Sequence, residues 1–188
     1  EQIQEIQIPE CESWGTLELL KKEKAVVGIY ISAHPLDDFK REMKYFSSAT
    51  FDILSDLDSL VNRDLSFGGI INDVEHLITK KGKGWGKFTI EDFSDQYEFK
   101  IFGEDYLKFR HFILPNNFVR LRLRVLEGWR NRETGQLGPT RIQFNSFEML
   151  HDTLKTNVKK ITLMLEVKQL DESKVQDLKM LMSPYKGD

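Results

Sequence analysis

The spacing of apolar positions changes character twice along these 188 residues. Over residues 1–62 it is helical: Leu17, Leu20, Lys24, Val27 and Tyr30 recur at three- and four-residue intervals, and the aliphatic stem of Lys24 can cover apolar surface. Ser13 stands where an N-cap belongs. His34-Pro35 stops this helix and opens a second, because proline is tolerated in a first helical turn and Asp37 and Asp38 suit the positive end of a helix dipole. Leu36, Phe39, Met43 and Phe46 then share one side. A helical hairpin this short cannot bury both apolar faces on itself, so it is expected to pack on protein outside this chain.

From Leu65 the period is two. Ile70, Asn72 and Val74 alternate with Ile71, Asp73 and Glu75; Phe88 and Ile90 with Lys87, Thr89 and Glu91; Tyr97, Phe99 and Ile101 with Glu98, Lys100 and Phe102. Three strands are predicted, with a tight turn at Ser94-Asp95 and a looser connection at Gly82, Gly84 and Gly86. A short helix over Glu104–Leu114 ends at Pro115-Asn116-Asn117. On a fourth strand Val119, Leu121, Leu123 and Val125 point one way and Arg120, Arg122 and Arg124 the other, and on a fifth Ile142 and Phe144 point inward. This order, with a long first strand and long loops after strands one and four, is that of the OB-fold, a Greek-key barrel whose closure hides the strand edges. Beyond it, Lys159–Val167 reads as a buried strand and Glu172–Met182 as a helix with Val175, Leu178, Leu181 and Met182 on one face, half of a βαβ unit.

The predicted class is α+β. A helical hairpin region occupies 1–62, a five-stranded OB-fold β-barrel 63–150, and a strand-helix tail 151–188 opens a third domain that is cut short.

Composition narrows the chemistry. No apolar run approaches the roughly 20 residues of a bilayer span and no signal-peptide succession opens the chain, so a cytoplasmic location with no membrane partner is expected. Cys11 is the single cysteine and His34, His76, His111 and His151 are scattered, which excludes an internal disulfide and a thiolate metal cluster. The net charge of −3 argues against strong non-specific DNA binding, but residues 65–150 carry thirteen basic against eleven acidic side chains while residues 1–64 carry seven against thirteen. A local basic groove of modest, salt-sensitive affinity fits that distribution.

Two loops would supply the groove, KKGKGWG from Lys80 to Gly86 and WRNRETGQLGP from Trp129 to Pro139. Each is basic and holds a tryptophan, as a single-stranded nucleic acid site requires: aromatic rings stack bases and cations track phosphates. Trp85 and Trp129 are the candidate stacking residues, with Lys80, Lys81, Lys83, Lys87, Arg130 and Arg132 for the backbone, and Lys100 with Phe102 on the outward face of strand three. The competing reading is that both tryptophans cap the barrel ends. Arg120, Arg122 and Arg124 read as a solvated or ion-paired face away from the usual ligand side, and Asp92 with Asp95 as residues shaping a turn rather than a metal pair. His34 reads as a helix-boundary residue with local contacts. Phosphate-loop, zinc and GxSxG spacings are all missing, so no catalytic residues and no metal ligands are expected.

VVGIYISAHPLDDF, Val26 to Phe39, placed directly before an OB pattern, resembles the end of the fingers region in bacterial replicative DNA polymerase III alpha subunits, and GKFTIEDFSDQYEFKIFGEDYLKF, Gly86 to Phe109, resembles the strand-turn-strand run of their OB domain. Ala33 stands where that family usually has glycine before His-Pro, and Ile31-Ser32-Ala33 favours the replicative over the error-prone branch. The resemblance implies a parent enzyme that performs template-directed DNA synthesis with magnesium in a palm domain upstream of Glu1, so this fragment would carry no catalytic centre and no cofactor. It implies an OB domain that contacts single-stranded template, and a parent that binds the sliding clamp and, through its C-terminal domain, the clamp-loader tau subunit. Neither of those partner sites is expected to be complete here. Two other readings stand beside it: a protein-interaction or spacer module within the replisome, and an aminoacyl-tRNA synthetase anticodon domain, which the preceding helical hairpin disfavours.

Overall fold

The computed structural model describes residues 12–160, 162, 164, 166 and 171–185. It divides into two compact units between Thr156 and Asn157.

The first unit opens with α1, Thr16–Val27, entered at Gly15 without a side-chain cap, so Ser13 does not cap it. The helix stops short of Tyr30 because Gly28 turns left-handed at φ 92°, its N–H closing on Lys24 O at 2.7 Å. After His34-Pro35 the chain makes a 3₁₀ turn, Asp37–Phe39, before α2, Lys40–Phe46. Asp37, the first residue of the turn, reaches back to accept the His34 N–H at 2.9 Å and holds Lys40 at 2.8 Å. A 3₁₀ segment, Phe51–Leu60, kinked at Asp56, then carries Phe51, Leu54 and Leu60 into the core.

Five strands follow: β1 Asp64–Ile78, β2 Gly84–Glu91, β3 Gln96–Phe102, β4 Phe118–Leu126 and β5 Arg141–Met149, with α3, Gly103–Phe109, between β3 and β4. All pairings are antiparallel, in the order β3-β2-β1-β4-β5. The architecture is α+β and OB-like, but the expected closure is not made: among the described residues β3 and β5 form no ladder. Side chains bridge the gap instead, with Phe99 and Phe144 rings 5.6 Å apart and Phe109 of α3 against Phe147 at 4.9 Å. The expected helix to Leu114 ends early, its last residues becoming turns closed by Ile113 N–H on Arg110 O at 3.2 Å.

Simple alternation fails on β1. A register shift between Ile71 and Val74 puts those two residues on the core side, while Ile70 faces the other way, against Leu36 and Leu150. Residues 66–71 are buried on both faces because the hairpin region covers the strand from outside. The hairpin therefore packs on this chain's own sheet, contrary to expectation; Gly68 allows the close approach, since a methyl there would run into Met43 Sδ of α2. Lys24 of α1 reaches Glu91, which also accepts from Asn72, so the helix is anchored by a part-buried ion pair. Tyr30 lies beside it, its phenol pushed up to about 12 by burial and then by the Glu91 charge.

An unforeseen helix, α4, Leu150–Asn157, follows β5 and buries Leu150 and Thr153. In the second unit α5, Glu172–Met182, is capped by Asp171 accepting the Lys174 N–H at 2.8 Å, and Val175, Leu181 and Met182 of its apolar face are exposed. Much of the predicted strand Lys159–Val167 lies outside the described residues.

Candidate nucleic-acid interface

The β1–β2 loop is a tight turn. Thr79 N–H donates to Lys83 O at 2.8 Å, Thr79 Oγ1 accepts the Lys83 N–H at 3.0 Å, and Gly82 takes φ +76°. Lys80, Lys81 and Lys83 are all exposed, and among the described residues none has a carboxylate within ion-pair distance.

Trp85 lies on β2 rather than in the loop. Its neighbours explain its direction: Gly84 and Gly86 face the Tyr106 ring of α3, where an added methyl would come within 2.8 Å and 3.2 Å of ring atoms. Tyr106 in turn shares a 3.1 Å hydrogen bond with His76 Nδ1. With glycine inward on both sides, Trp85 points outward. It pairs in register with Leu77 on β1 and Phe102 on β3, and its ring stacks on Phe102 at 5.0 Å and 14°. Phe102 remains 54% exposed, so the pair forms an open aromatic step.

One rung along the same face, Glu75, Lys87 and Lys100 are register partners across β1, β2 and β3. Lys87 Nζ sits 3.1 Å from Glu75 and 3.2 Å from Glu98, and Lys100 lies 3.8 Å from Glu98. Hydrogen bonds to Glu75 and then to Glu98 raise the Lys87 pKa. The two carboxylates were not among the candidates; period two placed each on an outward face, but only the strand register shows that they meet Lys87.

The β4–β5 loop forms its own small hairpin. Arg130 bridges Leu137, the Asn131 carboxamide accepts from Glu133 and Thr134 N–H at 2.8 and 3.1 Å, and Gly135 turns at φ +71°. Arg130 Nη1 donates to Gly135 O at 2.9 Å, so it braces the turn, whereas Arg132 is exposed. Trp129 is 75% exposed, with the Arg141 guanidinium 4.0 Å above its ring. The structure thus brings Trp85, Lys87, Lys100 and Phe102 onto one face beside the lysine loop. Trp129, Arg130 and Arg132 stand apart: their loop follows Leu126, near the Asp64 end of β1, while the lysine loop follows Ile78 at the other end.

Asp92, Arg120, Arg124 and His34 have structural partners. Asp92 accepts from Ser94 N–H at 2.7 Å, Asp95 N–H at 3.0 Å and Phe51 N–H at 2.9 Å, shaping the β2–β3 turn. Arg120 is buried and paired with Glu148, and Arg124 lies 3.7 Å from Asp64. His34 Nδ1 accepts the Leu36 N–H at 3.2 Å, and its ring packs on Tyr30 and Phe93. Among the described residues no group of three or more His, Cys, Asp or Glu is placed to hold a metal ion, and no helix is long and apolar enough to cross a membrane.

No family model matches the chain. Among curated proteins it is 37% identical over 103 residues to the DNA polymerase III subunit alpha of Borreliella burgdorferi, covering 54% of this chain and 9% of that protein. The corresponding subunit of Bacillus subtilis is 25% identical over 183 residues, 95% of this chain and 15% of that protein. That of Pasteurella multocida is 22% identical over 175 residues, 93% of this chain and 14% of that protein. The chain spans 9–15% of the length of these relatives. Over nearly its whole length, the chain is therefore similar to a segment of bacterial DNA polymerase III alpha subunits.

Proposed function

We propose that this segment serves template-directed DNA synthesis in the bacterial cytoplasm by holding single-stranded template on its β2–β3 face, while the chemistry, with its magnesium, belongs to other parts of the parent polymerase. The observation that carries the reading is the outward Trp85–Phe102 step beside three unpaired loop lysines. Bases stack on such a step for about 1–3 kcal/mol each, and the lysines take the phosphates. Lys100 borders the step, and Trp129 with Arg132 forms a second, separate contact point. The sliding clamp and the tau subunit are partners of the parent, reached through parts other than this sheet. In this reading residues 1–62 end the fingers, 63–150 form the OB domain and 151–188 open the tau-binding domain.

Anisotropy of a labelled single-stranded oligodeoxynucleotide, titrated with the chain across a salt series while tryptophan emission is followed, tests this. Salt-sensitive binding that quenches tryptophan is expected; absence of binding at the lowest salt would refute the reading. It would favour a protein-interaction or spacer module, to which the exposed Val26, Val27, Ile29 and Ile31 also point.

A further inference from the structure

We infer that Glu75 and Glu98 govern how this face takes a strand, occupying the sheet's own lysines so that bases are received on the Trp85–Phe102 step and phosphates are kept to the β1–β2 loop. The inference rests on the single-strand reading above and assigns two residues that oppose binding rather than make it.

The geometry is a balanced charge ladder. An ammonium has three N–H donors, and Lys87 directs its charge at two carboxylates, 3.1 and 3.2 Å away on the strands either side. Lys100 shares Glu98 at 3.8 Å. Two cations face two carboxylates, so the middle of the face has no net charge to offer a polyanion. A phosphate arriving there would have to displace a carboxylate from Lys87 and would then sit beside it, a like-charge contact. One rung away the row Leu77, Trp85, Phe102 carries no charge at all, and beyond it the loop lysines have, among the described residues, no carboxylate within ion-pair distance.

A strand crossing this surface meets a gradient, cationic at the loop, neutral and aromatic on the sheet. Stacking is tolerant of sequence, whereas each phosphate neutralised on a single strand adds about 0.7 to the salt slope. By idling Lys87 and Lys100, the carboxylates confine the salt-dependent part of binding at this face to about three loop cations. The hold is then loose and sequence-tolerant, as a surface over which template must advance requires.

The test is a salt-series titration of oligothymidylate against the unsubstituted chain, Glu75→Gln, and Glu75→Gln/Glu98→Gln, with tryptophan quenching and thermal melting recorded for each. Removing the carboxylates frees Lys87 and Lys100, so the double variant should bind several-fold more tightly at low salt, with a slope steeper by about 0.7–1.4. The exposed, isosteric Glu75→Gln should move the same way by less, and it keeps the test decisive if the double variant melts early. Unchanged affinity and slope in folded variants that still quench Trp85 would overturn the inference while leaving the single-strand reading intact. Binding that neither quenches tryptophan nor responds to Trp85→Ala would overturn that reading, and the inference with it.

Discussion

On β4, Arg120, Arg122 and Arg124 alternate with the core residues; on β2 and β3, Lys87 and Lys100 each stand between inward-facing neighbours in the same way and meet as register partners. The two patterns look alike in sequence, yet their side chains meet different surroundings. Arg120 is covered by the hairpin, its Nε donating to Phe46 O at 2.8 Å and Ser66 Oγ at 3.0 Å and its Nη1 meeting Glu148. It ties α2 to the sheet. Lys87 and Lys100 lie on an uncovered face, held by exposed carboxylates next to an aromatic step. What lies across a strand, more than the charge it carries, decides whether a cation braces the fold or borders a ligand.

The sharpest way to break this contrast is Arg120→Ala. It takes the guanidinium from Glu148 and one of two donors from the Phe46 carbonyl in a part-buried site and should cost about 3 kcal/mol of stability in urea unfolding, with oligonucleotide affinity of the folded protein unchanged. Trp85→Ala should do the reverse, losing about 1–3 kcal/mol of single-strand binding while melting close to the parent. Trp129→Ala should cost about 1 kcal/mol or less in the same titration, because Arg141 already covers one face of that ring. Equal losses from both tryptophans would erase the distinction drawn between the sheet face and the β4–β5 loop.

The smallest effect concerns the hairpin. His34 is surrounded by Tyr30, Phe93, Asp37, Lys24, Glu91 and Asp92, and burial, outweighing the carboxylates, lowers its pKa below 6.5. The unfolded chain therefore takes up a proton more readily than the folded one. That contribution is complete above pH 6.5 and fades as pH falls toward the lowered folded value. Asp37 and Asp52, both lowered below 3.8 chiefly by side-chain hydrogen bonds from Lys40 and Thr50, act only in a more acidic window. His34→Gln should flatten the urea midpoint between pH 6.5 and the carboxylate range; an unaltered profile would remove His34 from this account.

The strand order was legible because period-two runs such as Tyr97–Phe99–Ile101 need no partner to be read, and the Arg120–Arg122–Arg124 face followed from the same rule. The β1 bulge was not legible, since it depends on how Ile71 and Val74 fit against Ile90 and Phe88. Nor was the docking of the hairpin, which rests on the contact of Leu36 with Ile70 and Leu150 far away in sequence. At the site, Lys100 and Phe102 were visible as residues on a shared outward face, whereas Trp85 read as a loop residue and joins them only through the pairing of β2 with β3. The lysines' neutralising partners were not visible, because Glu75 and Glu98 become neighbours of Lys87 only once the three strands are in register.

The most direct test is an amide and indole NMR titration of the chain with a short single-stranded oligodeoxynucleotide. The largest shifts should fall on Trp85, Phe102 and the loop lysines Lys80, Lys81 and Lys83, with Arg120 and its partners unmoved. Shifts centred on Arg122 and Arg124, or confined to Trp129 and its loop, would contradict binding on the β2–β3 face.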